Sequence, residues 1–141
     1  MLSLFKKVDL YKNRIAIECD GEKFSYSYLA KSSNLVASFL LREKNDLKEK
    51  RIGLLITPNQ NYVIALWGIW KAGGVAVPLS LSAKESELKH FIADSNISLI
   101  ISSKNCNEKK NLPKKSGIKV QNIEEINQTN ELKLPSLDLR R

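Results

Sequence analysis

Three short runs of almost uninterrupted apolar residues set the frame for this chain: Ile52 to Ile56 (IGLLI), Val75 to Leu79 (VAVPL) and Ile97 to Ile101 (ISLII). A strand with one wet face alternates polar and apolar residues. A continuous run belongs to a strand covered on both faces. Helix-period segments lie between the runs. The first spans about Gln60 to Ala72, and its Tyr62, Val63, Ile64, Leu66, Trp67, Ile69 and Trp70 leave little polar face, so the segment is expected to be largely buried. The second spans Lys84 to Asp94, with Leu88, Phe91 and Ile92 as its stripe. Buried strands alternating with helices predict right-handed βαβ crossovers and a parallel sheet.

The punctuation agrees with that plan. Thr57-Pro58-Asn59 breaks the chain after the first run, because proline has no N–H to donate and disfavours helix at the residue before it. Gly73 suits a left-handed helix terminator, and Pro78 belongs at a strand exit or a sheet edge. Upstream, Arg14 to Cys19 alternates like a half-buried strand, Asp20-Gly21 is a hairpin-turn pair, and Glu22 to Phe24 forms the return strand. Ser25 is placed to cap a helix over Tyr26 to Glu43, with Leu29, Val36 and Leu40 on one face around the small Ser33. Ile118 to Val120 is a candidate fourth strand. The fold class expected is therefore α/β: a parallel βαβ sheet with a small N-terminal β-hairpin. Residues 1–103 form the expected domain portion, and 104–141, rich in Lys, Asn, Ser and Glu, form a mostly loop-like tail.

Composition excludes several function classes. The net charge of +8 raises the possibility of nucleic-acid binding, but it divides equally between residues 1–103 and 104–141, and the tail has no aromatic residue on which a base could stack. Specific nucleic-acid recognition is not expected. No apolar run reaches the roughly 18 residues of a membrane span, and the first residues lack the apolar core and cleavage site of a secretory signal. Their Lys and Arg weakly suggest a transit peptide, against which Asp9 counts. The expected location is the cytoplasm.

Reactive constellations are missing. The turn after the first buried strand has no glycine, so the dinucleotide-binding pattern fails, and GxxxxGK[ST] is absent. Gly73-Gly74 precedes a strand rather than a helix, which suits a helix stop and close packing instead of a phosphate cradle. The expected strand ends, Thr57, Leu79 and Ser102, carry no acidic cluster of the response-regulator kind. His90 is the only histidine, so a metal site lacks partners, and no GxSxG elbow is present. Glu85 and Glu87 point apart on a helix and do not form an acid/base pair. Trp67 and Trp70, at i and i+3, read as core. Cys19 and Cys106 lie in a strand and a Lys/Asn-rich loop without CxxC spacing, and read as unpaired reduced thiols.

Five segments resemble the adenylate-forming (AMP-binding) enzymes. Phe24-Ser25-Tyr26-Ser27-Tyr28-Leu29 is similar to their (T/S)YxEL opening, with Tyr28 where an acidic residue is usual. Arg51 to Leu55 and Pro58 to Tyr62 resemble RVGLLxPNSxEY. Ile69 to Leu79 resembles xxKAGxxxVPL, and Glu87 through Ser95 resembles ELxxxLxDS. Order and spacing match over about residues 11–102. The GGVAVPLS wording leans toward acyl-CoA synthetases, including those similar to malonyl-CoA synthetase, over peptide-synthetase adenylation domains.

The resemblance implies part of the large domain of such an enzyme, with a place in fatty acid metabolism. In the family a carboxylate attacks the α-phosphate of ATP and coenzyme A then displaces AMP; fixed positive charge and magnesium offset the developing charge. ATP, magnesium and coenzyme A are thus the cofactors of the full-length family, and none is expected to be held by this chain. The family's SGTTGxPKG phosphate loop, its ribose-binding aspartate and its C-terminal lysine have no counterpart in residues 1–141. No catalytic, cofactor-binding or metal residue is carried over, and the positions of Lys71 and Gly73-Gly74 are structural in the family. Three readings result: an N-terminal fragment of a synthetase, inactive alone and partnered by the downstream half of a split enzyme; a non-catalytic binding module derived from the same fold; and a small basic nucleic-acid binder.

Overall fold

A computed structural model describes residues 3–42, 44–106 and 117–128. The chain opens with a short helix, α1 (Ser3–Val8), and a 3-10 turn over Asp9–Tyr11. Strands β1 (Ile15–Cys19) and β2 (Glu22–Ser25) pair antiparallel, and Asp20 and Gly21 take φ of 52° and 80° at the turn between them. Two successive positive φ values match the right-handed twist of the flanking strands. The Ser25 Oγ accepts from the Tyr28 N–H at 3.1 Å and starts α2 (Tyr26–Leu41). This helix stops short of the expected Glu43 because Arg42 turns to φ 53° while its N–H still reaches the Ser38 carbonyl.

The parallel sheet contains β3 (Arg51–Leu55), β4 (Val75–Pro78), β5 (Ile97–Ser102) and β6 (Lys119–Asn122), in the spatial order β4-β3-β5-β6. Helices α3 (Gln60–Lys71) and α4 (Glu85–Ser95) make the crossovers, and a short α5 (Ile123–Gln128) follows β6. The chain moves from β3 outward to β4 and then back past β3 to β5. With crossovers of one hand, that reversal places the two helices on opposite faces. Accordingly, α2, α3 and α5 pack on Ile52, Leu54 and Ile101, while Ile92 of α4 packs with Leu55, Ile97 and Ile100. Burial on both sides explains the apolar runs of β3 and β5; β4, expected to be buried as well, lies at the edge of the described sheet with Val75 and Pro78 exposed. Pro78 lies in β4, an edge strand among those described, where its missing N–H interrupts no further ladder.

The sequence segments that resemble one family meet in space. The Arg51 Nη1 donates to the Ser95 carbonyl at 2.9 Å, joining the start of β3 to the end of α4, where a cation complements the carbonyl end of the helix. Gly73, at φ 81°, ends α3, and the Gly74 N–H returns to the Ile69 carbonyl. A Cβ at Gly74 would lie 3.0 Å from both Ile69 Cγ2 and Leu47 Cδ1. The Gly-Gly turn is thus a socket for the loop before β3, sealed by Leu47 N–H to Ala72 O and Glu49 N–H to Gly73 O, both 2.9 Å.

Further expectations change. Of the expected stripe on α4, Leu88 and Ile92 are buried but Phe91 is 53% exposed. Trp67 is core, 8% exposed and edge-on to Phe5 at 5.7 Å, but Trp70 is 37% exposed. One side of α3 faces the sheet and another faces α2, and Trp70 lies on the side left over. Within the tail, the candidate fourth strand is present as β6, but the residues after it, expected as loop, form α5, with Ile123 and Ile126 at 0% and 1% exposure. Residues 107–116 and 129–141 of the expected loop lie outside the described residues.

Candidate functional site

In an open parallel sheet, ligands approach the carboxyl ends of the strands, at the point where the strand order reverses. Here that point lies between β3 and β5. After β3, the Asn59 Oδ1 accepts from the Asn61 N–H at 2.9 Å, and its Nδ2 donates to the Thr57 Oγ1 at 3.3 Å. Asn59 therefore caps α3 and fixes the Thr57-Pro58-Asn59 turn at once. After β5, Ser102 and Ser103 are buried, and the Ser103 Oγ lies 3.3 Å from the Cys106 Sγ. A hollow of about 310 Å³ opens beside this edge between the hairpin and α3, bordered by Glu18, Cys19, Asn59 and Tyr62.

Helix α5 adds polar groups to the same edge. The Asn122 Oδ1 accepts from the Glu124 N–H at 2.8 Å and starts the helix. Glu124 and Asn127, three apart, share a face. The Glu124 Oε1 accepts from the Lys104 N–H at 3.3 Å, and the Asn127 Nδ2 donates to the Asn61 Oδ1 at 3.4 Å. The other oxygens, Glu124 Oε2 and Asn127 Oδ1, are buried and have no partner among the described residues. A buried acceptor without a donor costs about 1–3 kcal/mol, so this edge is built to receive hydrogen-bond donors.

Sequence reading did not single out Glu124 or Asn127, because it took their segment for loop. The signal was present: an Asn cap at 122 with Glu125 at the third helical position is a helix-start signature.

A second polar cluster lies between α2 and α3. The Lys71 Nζ donates to Ser33 Oγ at 2.7 Å, Asn34 Oδ1 at 3.0 Å and the Ala30 carbonyl at 3.3 Å, and it sits 5.1 Å from the centre of the Phe5 ring. Burial lowers its pKa to about 8, partly opposed by the Asp9 carboxylate. Its partners are neutral acceptors, so the cluster joins the helices rather than forming a base–nucleophile pair.

The remaining candidates are dispersed. His90 is exposed on α4 and pairs with Asp94 at 3.0 Å. Glu85 pairs with Lys89, while Glu87 turns back to the Lys84 N–H. Cys19 is partly exposed and Cys106 is buried, both with free thiols. Among the described residues, no group of three or more His, Cys, Asp or Glu could hold a metal ion. No described helix is long and apolar enough to cross a membrane. Among the described residues, the carboxyl edge therefore offers hydroxyls, amides and carboxylates: groups that orient a ligand or a neighbouring segment.

Residues 4–138 match the family described as AMP-binding enzyme. The malonate–CoA ligase of Arabidopsis thaliana is 36% identical over 135 residues, covering 84% of this chain and 22% of that protein. The mitochondrial malonate–CoA ligase of Xenopus laevis is 27% identical over 150 residues, covering 99% of this chain and 26% of that protein. Among solved structures, a benzoate CoA ligase from Burkholderia xenovorans superposes with a TM-score of 0.80 at 19% identity, over 90% of this chain and 27% of that one. The chain thus spans about a fifth to a quarter of the length of the curated relatives it matches.

Proposed function

From the premise that this chain belongs to the AMP-binding enzyme family, we propose that it forms the N-terminal part of the large domain of an acyl-CoA synthetase and makes no acyl-adenylate by itself. In the proposed reaction a carboxylate oxygen attacks the α-phosphate of ATP, pyrophosphate leaves, and the thiol of coenzyme A then displaces AMP. Alignment and preorganised electrostatics supply most of such a rate. The carboxyl edge carries hydroxyls and amides at Thr57, Asn59 and Ser103, with Lys104 next in sequence, so it is suited to act as a wall of the site.

The observation that carries this reading is the polar edge at the β3/β5 reversal, where Glu124 Oε2 and Asn127 Oδ1 have no partner among the described residues. These acceptors suit donors from outside the described residues, and family members contain a glycine-rich loop, an aspartate and a lysine with no counterpart in 1–141. The relatives named for malonate make malonate the first acid to test.

The experiment is carboxylate-dependent exchange of labelled pyrophosphate into ATP with magnesium. We expect background exchange with the chain alone, and malonate-dependent exchange on adding a polypeptide that carries the phosphate loop, the ribose aspartate and the C-terminal lysine. Exchange by the chain alone, abolished by a substitution within it, would overturn the proposal. So would a mixture that binds and remains inactive with every acid tried.

A further inference from the structure

At the opposite end of the sheet, where β3, β5 and β6 begin and α2 ends, lies a groove of about 590 Å³. Its floor is Phe39, Leu40, Leu41, Ile52 and Leu99, and its rim carries Arg42, Lys44, Lys50 and Lys119. Among the described residues that line it there is no Asp or Glu. We propose that this groove binds a small amphipathic anion, with the apolar body on Phe39 and Leu99 and a carboxylate or phosphate head among the four cations.

Three features support the assignment. Four cations around one hollow repel one another, and a bound anion relieves that repulsion. The volume falls within the range of small-molecule sites, which combine an apolar lining with a few placed polar groups. The loop that carries part of the rim is also built, although Lys48 and Glu49 themselves do not line the groove. Arg42, Lys48 and Glu49 take φ of 53°, 51° and 62° on one connecting loop, conformations that cost a non-glycine residue about 1–2 kcal/mol each. They persist because Leu47 and Glu49 are tied to the Ala72–Gly73 turn and the Lys48 N–H to the Asp46 carboxylate at 2.7 Å. Backbone strain held this firmly is a pointer to function.

Outside the described residues, the two long segments are basic on balance, and a single acidic residue, Glu43, lies in sequence between Arg42 and Lys44. Residues 107–116 carry four lysines against a single glutamate, and residues 129–141 carry a net charge of +1. Substrates of open parallel sheets approach the other edge, so a ligand here would act as an effector or a tether, independently of whether the chain contributes to adenylation.

The test is calorimetric titration of the chain with decanoate and with decyl phosphate, below micelle-forming concentrations. Lys119→Glu and Arg42→Glu alter the rim, and Lys89→Glu makes the same charge change on the exposed face of α4. The expected result is saturable binding, weakened tenfold or more by either rim variant, retained by Lys89→Glu and reduced by salt. Thermal unfolding checks that each variant is folded, and Lys119→Glu decides if Arg42→Glu is not. Absence of saturable binding, equal losses in all three variants, or inorganic phosphate binding as tightly as decyl phosphate would each overturn the proposal. Binding to anionic lipid vesicles without binding to either monomeric probe would also overturn it, in favour of a membrane surface.

Discussion

The Lys71 Nζ lies 2.7 Å from the Ser33 Oγ, and through that bond the last residue of α3 is fastened to the middle of α2. The ammonium also reaches Asn34 and the Ala30 carbonyl, so three acceptors from one helix surround a cation from the other. None of the three carries a charge, so the hydrogen bonds only partly replace the water that burial removed.

The pH dependence follows from this burial. Lys71 titrates at about 8 in the folded chain and at 10.5 when exposed. Between these values the unfolded chain holds a proton that the folded chain has released, so stability rises with pH across that window. The gap sets a ceiling of about 3 kcal/mol, and solvent around the part-exposed ammonium reduces the expected gain to roughly 1–2 kcal/mol. Urea denaturation at pH 7.5, 9 and 10.5 measures it. In Lys71→Met the rise should flatten; an unchanged rise would assign it to other groups.

The two helices that Lys71 joins also touch through Gly68. A Cβ there would lie 2.5 Å from both Val36 Cβ and Cγ1. Gly68→Ala should therefore destabilise the chain by about 1–3 kcal/mol through overpacking, despite alanine's better helix propensity. Val36→Ala in the same chain should recover part of the loss. Denaturation midpoints of the two single variants and the double variant test this; because Val36→Ala removes Cγ1 but keeps Cβ, the deciding outcome is Gly68→Ala itself, and no loss of stability there would show that the close approach is not limiting.

The tryptophans of α3 should behave unequally. Trp67, 8% exposed and packed on Phe5, should cost about 3–5 kcal/mol when changed to alanine. Trp70, 37% exposed, should cost about 1 kcal/mol or less by unfolding midpoint, because much of its ring is already in water. Equal costs would place both rings in the core.

How far these features were legible in the sequence depends on the range of the interaction. The parallel core was legible because Ile52–Ile56 and Ile97–Ile101 are apolar except at Ser98, the pattern typical of a strand covered on both faces. Gly73 and Ser25 were legible because a helix stop and a helix cap are local chemistry. The Lys71 cluster was not, since Ser33 and Asn34 lie nearly forty residues away and no spacing rule connects them. Trp70 misled because periodicity shows that a helix is apolar and does not show how many sides its neighbours cover. The carboxyl edge was half legible: Thr57-Pro58-Asn59 was recognised as a break, but Glu124 and Asn127 were hidden in a segment whose composition reads as loop.

That segment supplies the last prediction. Strand β6 pairs with β5 from Leu99↔Lys119 to Ser102↔Asn122, and α5 then buries Ile126 to 1% exposure in the cluster shared with α2 and α3. If residues 119–128 belong to the cooperative unit, Ile126→Ala should lower stability by about 2–5 kcal/mol. Asn122→Ala, which removes the acceptor for the Glu124 N–H, should cost about 1 kcal/mol. Both should shift a single unfolding transition, seen alike by tryptophan fluorescence near Trp67 and by far-ultraviolet dichroism. Hydrogen exchange separates the alternatives. In a unified fold the β5 and β6 amides open together and Ile126→Ala accelerates both. If the segment is a separable addition, the variant accelerates exchange in β6 alone and leaves β3 and β5 protected. Because Glu124 and Asn127 reach the carboxyl edge only when α5 is docked, the first outcome would also mean that the candidate site is held in place by the same core that holds the sheet.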